Sequence, residues 1–273
     1  MELSTREFHL IKDLVKNKFG IYLREQKKSL VVQRLQKELW AGGFSSFQDY
    51  YNYVIKDASG QALNKMGDLI STNHTYFFRE EVHFEFIERV ALPQLINAVR
   101  KKEEREIRVW CAGCSSGEEA YSLAMVLSQY AEEHNPGVQF YILATDISDR
   151  VLKKAVASIY SKEQVMRVPP LYRMRYFDQL GDGRWKVRPN IRKMILFRRL
   201  NLMRQEYPFK RRFQIIMCRN VMIYFDEPTK NQITKRFYRY MEEGGYLLIG
   251  HSETLDRSLG LYRFIQPAVF QRL

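Results

Sequence analysis

Residues 109–127 read VWCAGCSSGEEAYSLAMVL. The stretch runs from an apolar strand-like segment, through a loop bearing Gly113 and Gly117, into residues with helical spacing. Cys111 and Cys114 have the CxxC spacing of half a zinc site or a redox pair. A structural zinc site takes four nitrogen or sulfur ligands. Beyond that pair the chain offers Cys218 and His9, His74, His83, His134 and His251, none at paired ligand spacing. A redox CxxC belongs at a helix start, whereas Cys111 still lies in the apolar run and the helix begins after Gly117. The cysteines read as small apolar residues, and no metal is expected.

The glycines carry more information. In a strand–loop–helix unit they let the backbone turn tightly and approach a nucleotide. The loop is neither GxGxxG nor a Gly-Lys-Ser/Thr phosphate loop. Glu118 and Glu119 stand at the helix start, where a carboxylate would repel a pyrophosphate. Acids there favour a ligand with a positive amine, such as the methionine part of S-adenosylmethionine. Asp146 ends the next apolar run, FYILATD, and can accept hydrogen bonds from both ribose hydroxyls of an adenosine. The competing role, a cap on the following helix, falls to Ser148 as readily.

Around this unit, apolar runs at IRVWCAG, VQFYILATD, MILFRRLNL, FQIIMCRN and GYLLIGHS alternate with helical patterns at 117–133, 148–158 and 228–241. That alternation predicts a doubly wound α/β sheet. The C-terminal LYRFIQPAVFQRL reads as a final antiparallel pair. YFDQLGDGRWKVRPNIRK, with its Gly-Asp-Gly turn, reads as a hairpin. The first ~70 residues read as four helices, the first boxed by Ser4 and Glu7 and ended by Gly20, the third boxed by Ser45 and Gln48. EEVHFEFIERVALPQLINAVRKKEERE continues helically into the α/β part.

With 273 residues, 45% hydrophobic and 27% charged, the chain is an ordinary globular one. It has no ~18-residue apolar run and no signal-peptide pattern at its start. Three cysteines make no disulfide framework and point to the reducing cytoplasm. The net charge of +13 is uneven, since residues 150–240 hold 23 Lys/Arg against 6 Asp/Glu. Such a concentration points to an anionic partner, nucleic acid or an acidic protein surface. The bland alternative is scattered surface lysines that keep the protein dissolved.

STNHTYFFRE (71–80), GCSSGEEAYSLAM (113–125), ATDIS (144–148), RLNL (199–202), CRNVMIYF (218–225) and GYLLIGHSE (245–253) occur in an order that resembles the CheR-type chemotaxis receptor methyltransferases. The resemblance spans essentially the whole chain. It implies a protein-glutamate O-methyltransferase that uses S-adenosylmethionine. The implied fold is a class I, Rossmann-like domain with a seven-stranded mixed sheet, preceded by a small all-α domain and carrying a small inserted β-subdomain. The corresponding boundaries are 1–70 for the helical domain, 71–106 for a linker and leading helix, and 107–273 for the catalytic domain, with the insertion at about 176–193. Cofactor contacts are implied at Asn73, Thr75, Arg79, Glu119 (with Glu118 next), Asp146, Asn201, Leu202, Arg219 and Asn220.

The same resemblance implies that Arg79 and Tyr224 align and partly desolvate a substrate carboxylate. That nucleophile has a pKa near ~4.3, is ionised at neutral pH and needs no general base. The implied partner is the acidic helical cytoplasmic bundle of chemoreceptors, met by Lys27, Lys28, Arg34 and Lys37 and by the basic 150–240 stretch. A cytoplasmic monomer without membrane insertion follows. The short LGDGRW turn is similar to members that bind no receptor tail peptide. A nucleic-acid methyltransferase is disfavoured, because Arg219-Asn220-Val221-Met222 replaces the Asn/Asp-Pro-Pro-Tyr/Phe motif of amino-methylating enzymes. A non-catalytic cofactor-binding scaffold is disfavoured by intact Asn73, Arg79, Asp146 and Tyr224.

Overall fold

In the computed structural model, which describes residues 1–273, the first helix starts where Ser4 and Glu7 cap it. The Ser4 hydroxyl accepts from the Glu7 amide at 3.2 Å, and the Glu7 carboxylate accepts from the Ser4 amide at 2.8 Å. This reciprocal pair satisfies donors a helix end would otherwise orphan. α1 (Thr5–Phe19) buries Phe8, Ile11, Val15 and Phe19 and ends on Gly20 at φ 75°. α2 (Lys28–Ala41), α3 (Phe47–Lys56) and α4 (Gln61–Ile70) follow. Val31, Leu35, Leu39, Tyr50, Val54 and Met66 close one core with α1. The box expected at Ser45 and Gln48 does not form. Ser46 is the N-cap, accepting from the Asp49 amide at 3.0 Å, and the Gln48 amide is drawn to the Glu7 carboxylate at 2.9 Å.

The leading helix is interrupted. α5 (Val82–Phe86) passes through a π turn (Ile87–Ala91) into α6 (Leu92–Lys101). Pro93 stands at the start of α6; it has no N–H to give the preceding turn, and the widened turn absorbs the gap.

Beyond it come β1 (Glu106–Ala112), α7 (Glu118–His134), β2 (Gln139–Asp146), α8 (Asp149–Ala157), β3 (Ile159–Ser161), α9 (Lys162–Val165) and α10 (Pro170–Tyr176). Then follow β4 (Phe177–Gln179), β5 (Arg184–Val187), α11 (Pro189–Arg192), β6 (Ile195–Arg199) and β7 (Phe213–Cys218). α12 (Glu227–Tyr240), β8 (Met241–Ile249), β9 (Tyr262–Gln266) and β10 (Val269–Arg272) complete the chain.

The large sheet has seven strands in the order β6-β2-β1-β7-β8-β10-β9. β6 through β8 pair in parallel, and β10 and β9 return antiparallel. This is the doubly wound mixed sheet the sequence pattern predicts. Every residue of β7 is buried, as a central parallel strand covered on both faces requires. Chain order reverses between β1 and β7, and there an open α/β sheet leaves a crevice at its carboxyl ends.

The hairpin forms as β4 and β5, with Gly183 at φ 79° in its turn. It does not stand alone: β3 pairs antiparallel with β5 to give a second sheet, β3-β5-β4. The small sheet therefore draws on residues well before 176. A three-residue strand is too short to show a period.

The helical unit seats over the crevice. The Tyr22 amide donates to the Tyr224 carbonyl at 2.7 Å, the Asn201 side chain donates to the Lys18 carbonyl at 2.7 Å, and Lys16 pairs with Asp226 at 2.8 Å. A side chain on Gly20 would come within 2.5 Å of the Met203 sulfur, so the left-handed turn and the close approach both demand glycine. No helix is long and apolar enough to cross a membrane.

Arg34 holds the exit from α4. Its guanidinium donates to the Ile70 carbonyl at 2.7 Å, the Leu69 carbonyl at 3.3 Å and the Thr72 hydroxyl at 3.0 Å, carbonyls that a helix C-terminus leaves unpaired. The substrate-facing role implied for Arg34 thus competes with a structural one. Replacing Arg34 with Met is expected to lower stability by about 2 kcal/mol, measured by urea denaturation. A midpoint unchanged from the parent would show that these bonds contribute nothing.

Candidate active site

The loop after β1 is set by one carbonyl. Thr145 O, at the end of β2, accepts from the amides of Gly113 at 2.7 Å and Cys114 at 2.9 Å. The loop then passes through left-handed conformations at Gly113 (φ 89°), Ser115 (φ 50°) and Gly117 (φ 97°). The space the two glycines leave is filled by protein. A Cβ on Gly113 would lie 2.3 Å from a Val221 methyl, and one on Gly117 would lie 2.9 Å from Ala155 Cβ. Gly113 nevertheless lines the cleft with its backbone loop, whereas Gly117 does not. Cys111, Cys114 and Cys218 are all buried, and burial pushes their thiols well above the ordinary range, as inert packing residues require.

At the carboxyl ends of β1, β2, β6 and β7 lies a cleft of about 950 Å³, its open mouth included. Asn73, Thr75, Arg79, Glu119, Asp146, Asn201, Leu202, Arg219 and Asn220 all line it, together with Tyr224. Glu118 does not. Its carboxylate is buried against the Ser116 hydroxyl at 2.7 Å and the Gln164 amide at 3.1 Å, so the acidic pair divides into one packing residue and one cleft residue.

Asp146 is 7% exposed. One carboxylate oxygen accepts from the Ser115 amide at 2.8 Å, the other from the Ser148 amide at 2.9 Å. Each oxygen keeps a second acceptor site, enough for two vicinal hydroxyls. Ser148 takes the helix cap, leaving Asp146 to the cleft. Asn201 lines the cleft with its side chain already engaged, donating to the Lys18 carbonyl at 2.7 Å and accepting from the Met203 amide at 2.9 Å.

Glu119 and Arg219 form the charged floor. Arg219, 5% exposed, pairs with Glu119 at 3.2 Å and with Glu80 at 3.2 Å and also donates to the Arg79 carbonyl. Burial pushes the Glu119 carboxyl up to about 7, against the opposing pull of Arg219. Arg79 forms no ion pair with Glu80 or Glu81. It donates to the His74 carbonyl at 3.0 Å and lies over the Tyr76 ring, which leaves most of its five N–H donors uncommitted.

Sequence reasoning missed several contributors. Phe19 and Ile21 from the helical unit, Ile70 and Thr72 at its exit, and Ile147, Leu200, Val221 and Phe225 all wall the cleft. Glu80, which also accepts from the Asn220 side chain at 3.3 Å, was legible only as a neighbour of Arg79. Glu80, His83 and His251 converge with ligand atoms within 4.8 Å, a grouping that spacing conceals. Glu80 is already engaged by Arg219 there, and the guanidinium opposes a cation. Of the proposed substrate-facing residues, Lys27 and Lys37 are exposed and Lys28 is half-buried, while Arg34 is held as described.

Chemically, the cleft offers an acidic strand end for ribose, a buried carboxylate for positive charge and aliphatic walls for a flat apolar ring. Residues 73–269 match the family described as CheR methyltransferase, SAM binding domain, and residues 6–71 match its all-alpha domain. The chain is 44% identical to a chemotaxis protein methyltransferase of Borreliella burgdorferi, over 100% of this chain and 96% of that one. It is 34% identical to chemotaxis protein methyltransferase 1 of Pseudomonas aeruginosa, over 100% and 99% of the two chains. It is also 34% identical to a chemotaxis protein methyltransferase of Escherichia coli, over 94% and 87%.

Two outcomes are expected. Asp146→Ala weakens S-adenosylmethionine binding at least tenfold by calorimetry, the scale of losing charge-assisted hydrogen bonds; unchanged affinity would remove Asp146 from the site. Because a cationic ligand favours ionised Glu119, affinity falls as pH drops through about 7, and binding near that pH releases a proton. Glu119→Gln flattens this dependence, and a variant that keeps the parent's pH profile would exclude Glu119 as its source.

Proposed function

The chain belongs to the CheR methyltransferase family and is an S-adenosylmethionine-dependent methyltransferase, and from that premise we propose that it esterifies glutamate side chains on the acidic helical cytoplasmic bundle of chemoreceptors. The names of the relatives support a chemotaxis role for the methyl transfer. The observation that carries the finer reading is the pairing state of the cleft cations: Arg219 pairs with two carboxylates, whereas Arg79 shares the lining with Tyr224, forms no ion pair and acts on Glu119 only at longer range.

S-Adenosylmethionine supplies an activated methyl group and leaves as S-adenosylhomocysteine. Asp146 would hold the ribose, Leu200, Leu202 and Ile147 offer aliphatic surface to the adenine, and Glu119 would balance the positive charge. The incoming glutamate is ionised at neutral pH, so nothing in the cleft has to remove a proton. Arg79 and Tyr224 orient that carboxylate and strip part of its water. Arg79 reaches it as a cation, and Tyr224 as a single hydroxyl donor. Too tight an ion pair would quench the nucleophile, so alignment contributes more than charge.

Docking rests on the exposed Lys27, just before α2, and Lys37 on α2, with Lys28, and on the basic 150–240 segment. Lys27 and Lys37 form no ion pair within the chain, whereas the charge of Lys28 is partly spent on Glu7, so the field of the first two is available to an acidic bundle. Steering of this kind weakens with salt.

Incubation with labelled S-adenosylmethionine and receptor cytoplasmic fragments is expected to give base-labile methyl esters; label found only in RNA or DNA would sink the reading. Arg79→Ala is expected to lower kcat about 100-fold, the scale of removing one preorganised donor. A fully active variant would refute its role.

A further inference from the structure

The loop that follows β7 carries Arg219, Asn220 and Tyr224 to the cleft; its own backbone bonds, from the Tyr224 amide to the Val221 carbonyl at 3.2 Å and from the Phe225 amide to the Met222 carbonyl at 3.0 Å, leave the Asn220 and Ile223 amides to another partner. Asn220 adopts φ 59°, a left-handed conformation uncommon for a residue with a side chain. Its side chain donates to Glu80 at 3.3 Å, and its backbone is held from the turn after β8. The Glu253 carboxylate, 7% exposed, folds back under that turn. One oxygen accepts from the Gly250 amide at 2.6 Å and the Asn220 amide at 3.0 Å, and the other accepts from the Ile223 amide at 3.0 Å.

No lysine, arginine or histidine pairs with Glu253; backbone N–H groups alone satisfy the buried anion. Gly250 makes the approach possible, since a Cβ there would come within 2.9 Å of the Asn220 nitrogen. The carboxylate therefore bridges the ends of β7 and β8 and clamps the loop on both sides of Val221.

We propose that Glu253 is a positioning residue for methyl transfer, fixing through backbone amides the placement of Asn220 against the cofactor and of Tyr224 against the substrate carboxylate. The role rests on the methyltransferase reading above. Glutamine cannot replace it: in either flip of its amide, one end presents N–H to an N–H donor. Aspartate keeps the charge but is one methylene too short to serve both ends of the clamp.

The test compares Glu253→Gln and Glu253→Asp with the parent and with Val54→Ala, a core variant in α3 that loses stability away from the cleft. Thermal denaturation, S-adenosylmethionine affinity by calorimetry, and kcat and KM with a receptor cytoplasmic fragment are read for each. Glu253→Gln is expected to lower kcat 20- to 100-fold and weaken cofactor binding about fivefold, while KM for the fragment stays within threefold. Glu253→Asp falls between it and the parent.

A loss of kcat no greater than that of Val54→Ala at equal loss of thermal stability would overturn the proposal. If Glu253→Gln does not fold, Glu253→Asp decides it, with less than a twofold effect on both kcat and cofactor affinity counting against the role. If the parent itself transfers no methyl to receptor fragments, the substrate reading fails. Cofactor affinity then still reports on the clamp, with parent-like affinity in both variants overturning it.

Discussion

Arg219 is the hub on which the cleft depends. Its buried guanidinium joins three segments far apart in the chain: Glu119 at the start of α7, Glu80 and the Arg79 carbonyl in the linker, and its own strand end on β7. Burying a charge is costly unless it is paired, and removing one partner of such a group costs about 3–5 kcal/mol because the other is left uncompensated. The linker, α7 and the β7 loop are therefore not independent. The same guanidinium tempers the burial that lifts Glu119, which sets where the cleft changes charge.

Two further carboxylates, Asp146 and Glu253, fix the surrounding loops by another route. Neither pairs with a cation; each is held by backbone amides from two segments. Asp146 joins the β1 loop to the turn after β2, and Glu253 joins the β7 loop to the turn after β8. Burial raises both carboxyls while the amide donors pull them back down. Every loop at the reversal of strand order is thus tied to its neighbour by an anion. That is how irregular backbone can hold side chains steadily around a ligand.

Much of this was legible in the sequence. The capping box at Ser4, the apolar spacing of α1 through α4, the strand–helix alternation and Asp146 at a strand end all follow from local pattern. The ordered motifs, read as a resemblance, named ten of the 22 residues that line the cleft. What stayed hidden is non-local. Phe19 gives the same periodic signal whether it packs inward or walls a cleft. Glu80 and Arg219 lie 139 residues apart, and no spacing rule connects them. Arg34 looked like part of a solvent-facing basic stripe, because the α4 carbonyls it holds appear only once the helices pack. β3 and the π turn before Pro93 are too short to show a period.

The seating of α1 over the crevice bears on how the protein can be divided. Phe19 and Ile21 belong to the helical unit by sequence and to the cleft wall by position, and the Tyr22 amide is bonded to the carbonyl of Tyr224. A boundary drawn after residue 70 separates two compact cores but cuts through one binding surface. Trimming the chain to its α/β part would leave the cleft open on one side, with Gly20 no longer packed against Met203. The helical segment thus supplies part of the cleft wall, and chimeras that exchange it between relatives would change the affinity of the cleft.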